Sequence, residues 1–212
     1  MPATLDRPCH AARMDGSETP GHEAADGDPL RTERLLLRGW REDDRAPFAR
    51  MNADPRVMEH FPGPLDAAAS DALLDRIVER LAADGWGLWA VERRQDGAFL
   101  GFTGLARIPF EAHFTPAVEV GWRLTADAWG RGYATEAARA AVAVAFDRLA
   151  LDEIVSMTTP ANLRSRRVME RLGMTRDPAD DFDHPRLPAG HPIRRQVLYR
   201  LPAVRWRDAG AG

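Results

Sequence analysis

The residues with the clearest chemical potential lie in one run, Trp129-Gly130-Arg131-Gly132-Tyr133-Ala134-Thr135-Glu136-Ala137, where a glycine-punctuated turn opens into an alanine-rich helical pattern. The chemistry such a run can do is anion binding. The first backbone N–H groups of a helix have no partner within it, and the helix dipole favours negative charge there. Gly130 and Gly132 let the backbone come close to a ligand, and Arg131 adds a fork of donors suited to phosphate. The run is not a Walker motif, because no Gly-Lys-Ser/Thr closes it, and not a dinucleotide fingerprint, which needs G-x-G-x-x-G. Taken alone, a plain strand-to-helix turn explains it equally well.

A strand and a helix must hold such a loop, and the sequence supplies both. Residues 117–124 predict a strand with Val118, Val120 and Trp122 on one face and Glu119, Gly121 and Arg123 on the other. Gly121 within it marks a bulge or the close approach of a backbone or ligand. Residues 134–149 predict the helix, burying Ala138, Val142, Phe146 and Leu149.

Upstream, residues 34–40 predict a first strand. Asp43 or Asp44 caps a helix reaching about Met51, with Pro47 harmless in its first turn, and a second helical piece covers 56–61. Asp66 caps a helix with Leu73, Leu74, Ile77, Val78 and Leu81 on one face, ended by Gly85. Residues 87–93 and 98–105 pair as a hairpin across Asp96-Gly97. Downstream, 153–159 predicts a strand, Asn162 caps a helix closed by Gly173, and 174–176 is a short strand. Then come a Pro/Asp/His-rich loop over 177–192, a last strand over 195–201 and a polar end. The order, β-α-α-β-β-β-α-β-α-β-β, belongs to a mixed α/β (α+β) domain with helices packed on a twisted sheet.

Composition narrows the function classes. The chain has 212 residues, enough for one domain with a tail, and its net charge of -3 gives no ground for expecting nucleic-acid binding. The single Cys9 has no internal disulfide partner, which suits a reducing cytosol. Neither an apolar run of ~20 residues nor the apolar core of a signal peptide is present, so the expectation is a cytoplasmic protein without membrane association. Residues 1–29, rich in Gly, Pro, Asp, Glu, Ala and His, predict a disordered tail, with Met14 as an alternative start. The folded domain is expected over 30–206, and a flexible end over 207–212.

The loop resembles the pyrophosphate loop of the GNAT acyltransferases, Q/R-x-x-G-x-G/A, through Gly132 and Ala134. Trp129 stands where Gln or Arg is usual, as in the ribosomal-protein alanine N-acetyltransferase-like branch. A second segment, from Asn162-Leu163-Arg164-Ser165 to Met169-Glu170-Arg171-Leu172-Gly173-Met174, resembles the family's N-x-x-A/S-x-x-L/V-Y-E-K-x-G-F/M, in the right order and spacing. The stretch from Asp181 to Pro185, continuing to Gly190-His191-Pro192, is also similar to members of that branch. The resemblance covers about residues 30–202. It implies a central mixed, mostly antiparallel twisted sheet with helices on both faces. The strand before the loop and the strand after its helix would splay apart to admit the pantetheine arm. It further implies an acetyl-CoA-dependent N-acetyltransferase, monomer or homodimer, that moves an acetyl group to a primary amine by direct attack in a ternary complex. The acceptor would be a protein N-terminal α-amine or a small-molecule amine.

That reaction needs a pyrophosphate cradle, a donor for the thioester oxyanion, a route for the amine's proton and a proton for the leaving thiolate. The resemblance assigns the cradle to the backbone of Arg131 to Thr135, within a cofactor-binding run of Trp129, Gly130, Arg131, Gly132, Tyr133, Ala134 and Thr135, and the oxyanion donor falls to a backbone N–H of the splayed strand near Val120 to Trp122. Glu119-Val120-Gly121-Trp122 matches the branch pattern E-I/V-G-Y/W, which makes Glu119 the candidate base, directly or through water; otherwise it is a solvated carboxylate. Asn162 is a helix cap that in the family also touches pantetheine or an ordered water. Ser165 either reaches CoA or serves as a polar first-turn residue. Arg166 and Arg167 read as a solvated face, with Arg164 or Arg166 near the CoA phosphates as the other option. Met169 stands where many members carry a tyrosine acid, and methionine has no proton to give, so a non-catalytic acyl-CoA-binding regulatory module is the competing reading. His184 and His191 with Asp180, Asp181 and Asp183 lack metal-ligand spacing, and no metal is expected. Trp40, Trp86, Trp89 and Trp122 read as core or pocket walls.

Overall fold

The computed structural model describes residues 29–210; the expected disordered tail and its alternative start fall outside them, save for Pro29. Eight strands form one sheet in the order β1-β2-β3-β4-β5-β6-β8-β7. These are β1 (Leu30–Arg31), β2 (Leu35–Arg38), β3 (Leu88–Arg93), β4 (Phe99–Arg107), β5 (Val118–Leu124), β6 (Glu153–Thr158), β7 (Phe182–Asp183) and β8 (Arg195–Pro202). All neighbours pair antiparallel except β5 and β6, which run parallel and share a single paired position, Glu119 opposite Val155.

Helices cover both faces. Helices α1 (Arg45–Ala53), α2 (Pro55–Met58) and α3 (Ala67–Asp84) bring Phe48, Met51, Val57, Leu74 and Ile77 against Phe102 of β4. Helices α4 (Tyr133–Ala143), α5 (Leu163–Arg171) and α6 (Ala203–Gly210) pack on the other side, where Ala137, Ala141, Val142 and Met169 meet Leu37, Val91 and Val120. Each such large apolar side chain taken fully from water contributes about 1.5–3 kcal/mol. No helix among the described residues is long and apolar enough to cross a membrane.

Local signals hold where they are self-contained. The Asp66 carboxylate accepts from the Ala69 amide at 2.8 Å, and Gly85 ends α3 in the left-handed conformation at φ 70°. The buried stripe of α3 is narrower than the sequence suggests, because Val78 is exposed. The hairpin across Asp96-Gly97 forms as expected, and the sheet's irregularity lies at Val91/Glu92 rather than at Gly121, which pairs regularly with Gly104.

Other expectations are corrected. A two-residue strand, β1, precedes β2, which is shorter than the expected 34–40. The helix over 134–149 is α-helical only to Ala143. Val144–Arg148 is a π segment closed by the Leu149 amide on the Val144 carbonyl. Residues 174–176 contribute one bridge, Thr175 to Arg200. The 177–192 loop contains a 3-10 turn, Pro178–Asp180, and β7. The end expected to be polar carries the helix α6 through Gly210, with Trp206 against Phe146 at 6.2 Å; the last two residues of the end expected to be flexible lie outside the described residues.

Neither Asp43 nor Asp44 caps α1 through its side chain. Asp44 is engaged elsewhere: it takes both ends of the Arg38 guanidinium at 2.7 and 2.9 Å and the Arg41 amide at 2.8 Å, while Arg38 Nε donates to Glu92 at 2.7 Å. Arg38 and Asp44 are buried. Burial works to lower the Arg38 pKa, but its bonds to Asp44 and Glu92 prevail and hold it above its ordinary value. Removing one partner of such a pair strands a buried charge, at a cost of about 3 kcal/mol. Asp44→Asn is therefore expected to lower the melting temperature by roughly 6–12 °C; a fall of about one degree would show that the pair contributes nothing to stability.

Candidate active site

The loss of pairing between β5 and β6 beyond Glu119 opens a cavity of about 910 Å³. Its walls come from four places: the loop with the first turn of α4, α5, the facing strands β5 and β6, and the segment around α2 with residues 109–110 and 184–196.

The loop is fixed by backbone conformation and by a distant arginine. Gly130 and Gly132 both have left-handed φ, 73° and 80°, where a side chain is strained. Arg34, on the chain between β1 and β2, donates to the Arg131 carbonyl at 3.0 Å, pairs with Glu136 at 2.6 Å and lies over the Tyr133 ring at 4.7 Å. Trp129 donates its indole N–H to the Leu124 carbonyl at 3.0 Å. Trp129, Gly130, Gly132, Tyr133, Ala134 and Thr135 line the cavity. The Thr135 hydroxyl, in the first turn of α4, is buried and has no hydrogen-bond partner among the described residues.

Arg131 departs from expectation. Its side chain is exposed and borders a neighbouring, smaller depression instead of this cavity, while its carbonyl accepts from Arg34. The cationic wall comes from α5, where Arg164, Arg167 and Arg171 recur at helical spacing along the cavity and Arg164 stacks on Trp129 at 4.7 Å. Arg167 is thus not merely a solvated residue. Arg166 is absent from this wall; it donates to the Tyr199 hydroxyl and the Pro160 carbonyl.

On the strands, Glu119, Gly121 and Trp122 line the cavity, while Val120 is fully buried in the core beneath and is not part of its lining. Burial pushes the Glu119 carboxyl up to about 7, opposed by the Met157 amide, which donates to it across the splay. Asn162 caps α5 by accepting from the Ser165 amide at 3.1 Å and donates to Thr158 at 2.9 Å; both Asn162 and Ser165 border the cavity. Met169 is fully buried and does not reach it. Tyr199 does not reach it either, its hydroxyl being bound to Glu170 and Arg166. Asp180, Asp181 and Asp183 pair with Arg200, Arg176, Arg194 and Arg195, and among the described residues no group of three side chains is arranged to hold a metal.

Sequence reasoning missed Arg34, Arg123, His60 and Phe61. The last three line the cavity from β5 and the α2–α3 connection, and their sequence carries no motif. Alternation along β5 put Arg123 on the same face as Glu119, the one signal that pointed to it.

The raised Glu119 pKa has a thermodynamic consequence. Between pH about 4.5 and 7 the folded chain keeps a proton that the unfolded chain has released, so stability falls as pH rises through that window and the full penalty applies above it. Glu119→Gln, neutral throughout, is expected to match the wild type near pH 4 and to exceed it near pH 8 by about 3 kcal/mol. Thermal unfolding at the two pH values checks this; a difference independent of pH would mean an ordinary carboxyl.

A family model described as an acetyltransferase (GNAT) domain matches residues 34–175. The chain is 31% identical over 153 residues to the FsC-acetyl coenzyme A-N(2)-transacetylase of Aspergillus fumigatus, covering 69% of this chain and 64% of that protein. An acetyltransferase structure from Agrobacterium tumefaciens shares 29% identity at a TM-score of 0.68, over 90% of this chain and 99% of that one. The ribosomal-protein-S5-alanine acetyltransferase of Vibrio fischeri has the same fold, with a TM-score of 0.66 at 16% identity over 84% of this chain and 98% of that one. Since the matched span runs from just before β2 through the splay, the glycine loop and α5, the chain belongs to the GNAT acetyltransferase family, whose members take the acetyl group of acetyl-CoA.

Proposed function

We propose that this protein is an N-acetyltransferase that acetylates a primary amine, with Glu119 as the group that accepts the amine's proton, directly or through water. The observation that carries the reading is the place of Glu119. It borders the cavity at the only position where β5 and β6 pair, and burial gives it a pKa of about 7, matched to proton transfer at neutral pH.

The cavity's residues fit the donor. Acetyl-CoA would supply an acetyl group activated as a thioester. The orphan Thr135 hydroxyl and the free amides of the first turn of α4 suit its pyrophosphate, and Arg164, Arg167 and Arg171 offset phosphate charge. The edge of β5 beyond Glu119 has lost its β6 partner and offers backbone N–H at Val120 to Trp122 to the oxyanion. A leaving thiol with a pKa near ~8.5 departs readily at neutral pH, so the lack of a tyrosine at Met169 is compatible with turnover. The α2 side of the cavity is left for the acceptor.

Two variants test this. Gly132→Glu places a carboxylate on the cradle, with its Cβ 3.4 Å from Arg34; it is expected to abolish acetyl-CoA binding in calorimetry while the chain stays folded. Retained affinity would remove the cradle. Glu119→Gln is expected to lower kcat/KM by about 10²–10⁴ at neutral pH with acetyl-CoA affinity kept. The defect should shrink as the amine loses its own proton, near pH ~8 for an α-amine and ~10.4 for a lysine-like amine, so the pH at which it fades reports the acceptor. Wild-type rates at every pH would leave water as the proton acceptor.

A further inference from the structure

The fold buries Arg38 and holds Arg123 half-buried on the cavity wall, and it treats the two differently. Arg38 has two carboxylates. Arg123 has none within 4.0 Å among the described residues, although burial is strong enough to push its pKa down to about 10. Its Nη1 donates to Asn52 Oδ1 at 2.6 Å, and its Nε is buried without a partner. The guanidinium lies over the Phe61 ring at 4.0 Å and 5.4 Å from Phe102. Asn52 is itself fully buried and donates to the buried Ser70 hydroxyl at 2.9 Å, so its carbonyl oxygen stays turned toward Arg123. An amide and two aromatic faces orient the cation and leave donors of its fork unused. A buried charge in such a setting is costly unless an anion joins it.

Arg123 lines the cavity, and its location separates it from the donor's phosphates. Side chains of β5 alternate. Val118, Val120 and Leu124 join the core under α4, with Trp122 packed against it, whereas Arg123 meets Asn52 of α1, Phe61 and Phe102 on the opposite face. Glu119 shares the face of Arg123, four strand steps or about 13 Å away along the backbone, a gap partly spanned by the long arginine side chain. A planar, two-pronged donor fits a carboxylate.

We infer that Arg123 binds a carboxylate carried by the acceptor, so that the substrate class is a primary amine bearing a carboxylate, held with its amine toward Glu119 and its carboxylate on the Arg123 fork. The inference deepens the N-acetyltransferase reading and rests on it for the amine.

Binding separates the two ideas. With CoA present, which has no acetyl group to give, calorimetry compares carboxylated amines with their uncharged counterparts. The probes are the L-α-amino acids and ω-amino acids of two to six carbons against the matching amides and decarboxylated amines. Dipeptide amides with Glu or Gln as second residue form a further arm. At least one carboxylated member is expected to bind about 100-fold more tightly than its uncharged partner. Arg123→Met should bring that ratio to within a few-fold, and Arg123→Lys, which keeps the charge and loses the fork, should fall between. Preference among the free amino acids alone marks a small-molecule acceptor; preference in the Glu dipeptide marks a peptide one. Equal binding of every pair by the wild type, or an undiminished ratio in Arg123→Met, overturns the inference, and the wild-type comparison stands even where a variant does not fold. Thiol release from acetyl-CoA with the same pairs then tests the parent reading. Arg123-dependent carboxylate binding without release from any amine would sink the acetyltransferase reading alone. Release indifferent to the carboxylate would sink the Arg123 inference alone.

Discussion

The parting of β5 from β6 is the constraint on which the rest of the molecule depends. Two parallel strands that touch at one position leave backbone donors and acceptors along the gap, and such groups need partners. One of them, the Met157 amide, turns to the Glu119 carboxylate. The others border the cavity. Gly121 puts no side chain into the gap, and one built there would meet nothing within 4 Å, so open space lies beside the strand at that point. The antiparallel pairs on either side of the gap, β4 with β5 and β6 with β8, are long and regular, so the opening is held by rigid strands.

Charge follows that geometry. Six arginines and two glutamates line the cavity, which predisposes it to anionic occupants. Three of them lie on α5 beside the loop, Arg123 projects from β5 among Phe61, Phe102 and Asn52, and Arg56 and Arg186 come from α2 and the loop before β8. Glu119, on the Arg123 face of β5, is short of any cationic partner among the described residues, and burial raises its titration against the opposing Met157 amide. A carboxyl paired with an arginine would be driven below its ordinary range and would hold no proton near neutrality. In the proposed reaction, that isolation is what suits Glu119 to accept one.

The loop shows how a binding surface is braced from outside itself. Left-handed φ at Gly130 and Gly132 makes the turn, but Arg34 keeps it in place by joining the Arg131 carbonyl, the Glu136 carboxylate and the Tyr133 ring. Glu136 also accepts from the Arg34 amide at 2.8 Å, so the first turn of α4 is tied to the start of the sheet.

The sequence by itself determined what depends on near neighbours: the Asp66 and Asn162 caps, the Gly85 stop, the Asp96-Gly97 hairpin, the alternation of β5, and the glycine loop opening α4. Each is decided by a few adjacent residues, whose hydrogen bonds and backbone preferences do not wait for the rest of the chain. The two motif segments, 129–137 and 162–174, were legible for the same reason, and with them the family. Contacts made across long separations were decided only by the tertiary structure. Asp44 left its expected cap because the Arg38 guanidinium and the Arg41 amide engage its carboxylate, and the cationic wall comes from Arg164, Arg167 and Arg171 of α5 instead of Arg131. Trp206 made the C-terminal end a packed helix. The surface around Arg123 was illegible because Arg123, Asn52 and Phe61 come from three separate segments, and only the folded sheet and helices show that, among the described residues, the fork of Arg123 is left without a carboxylate.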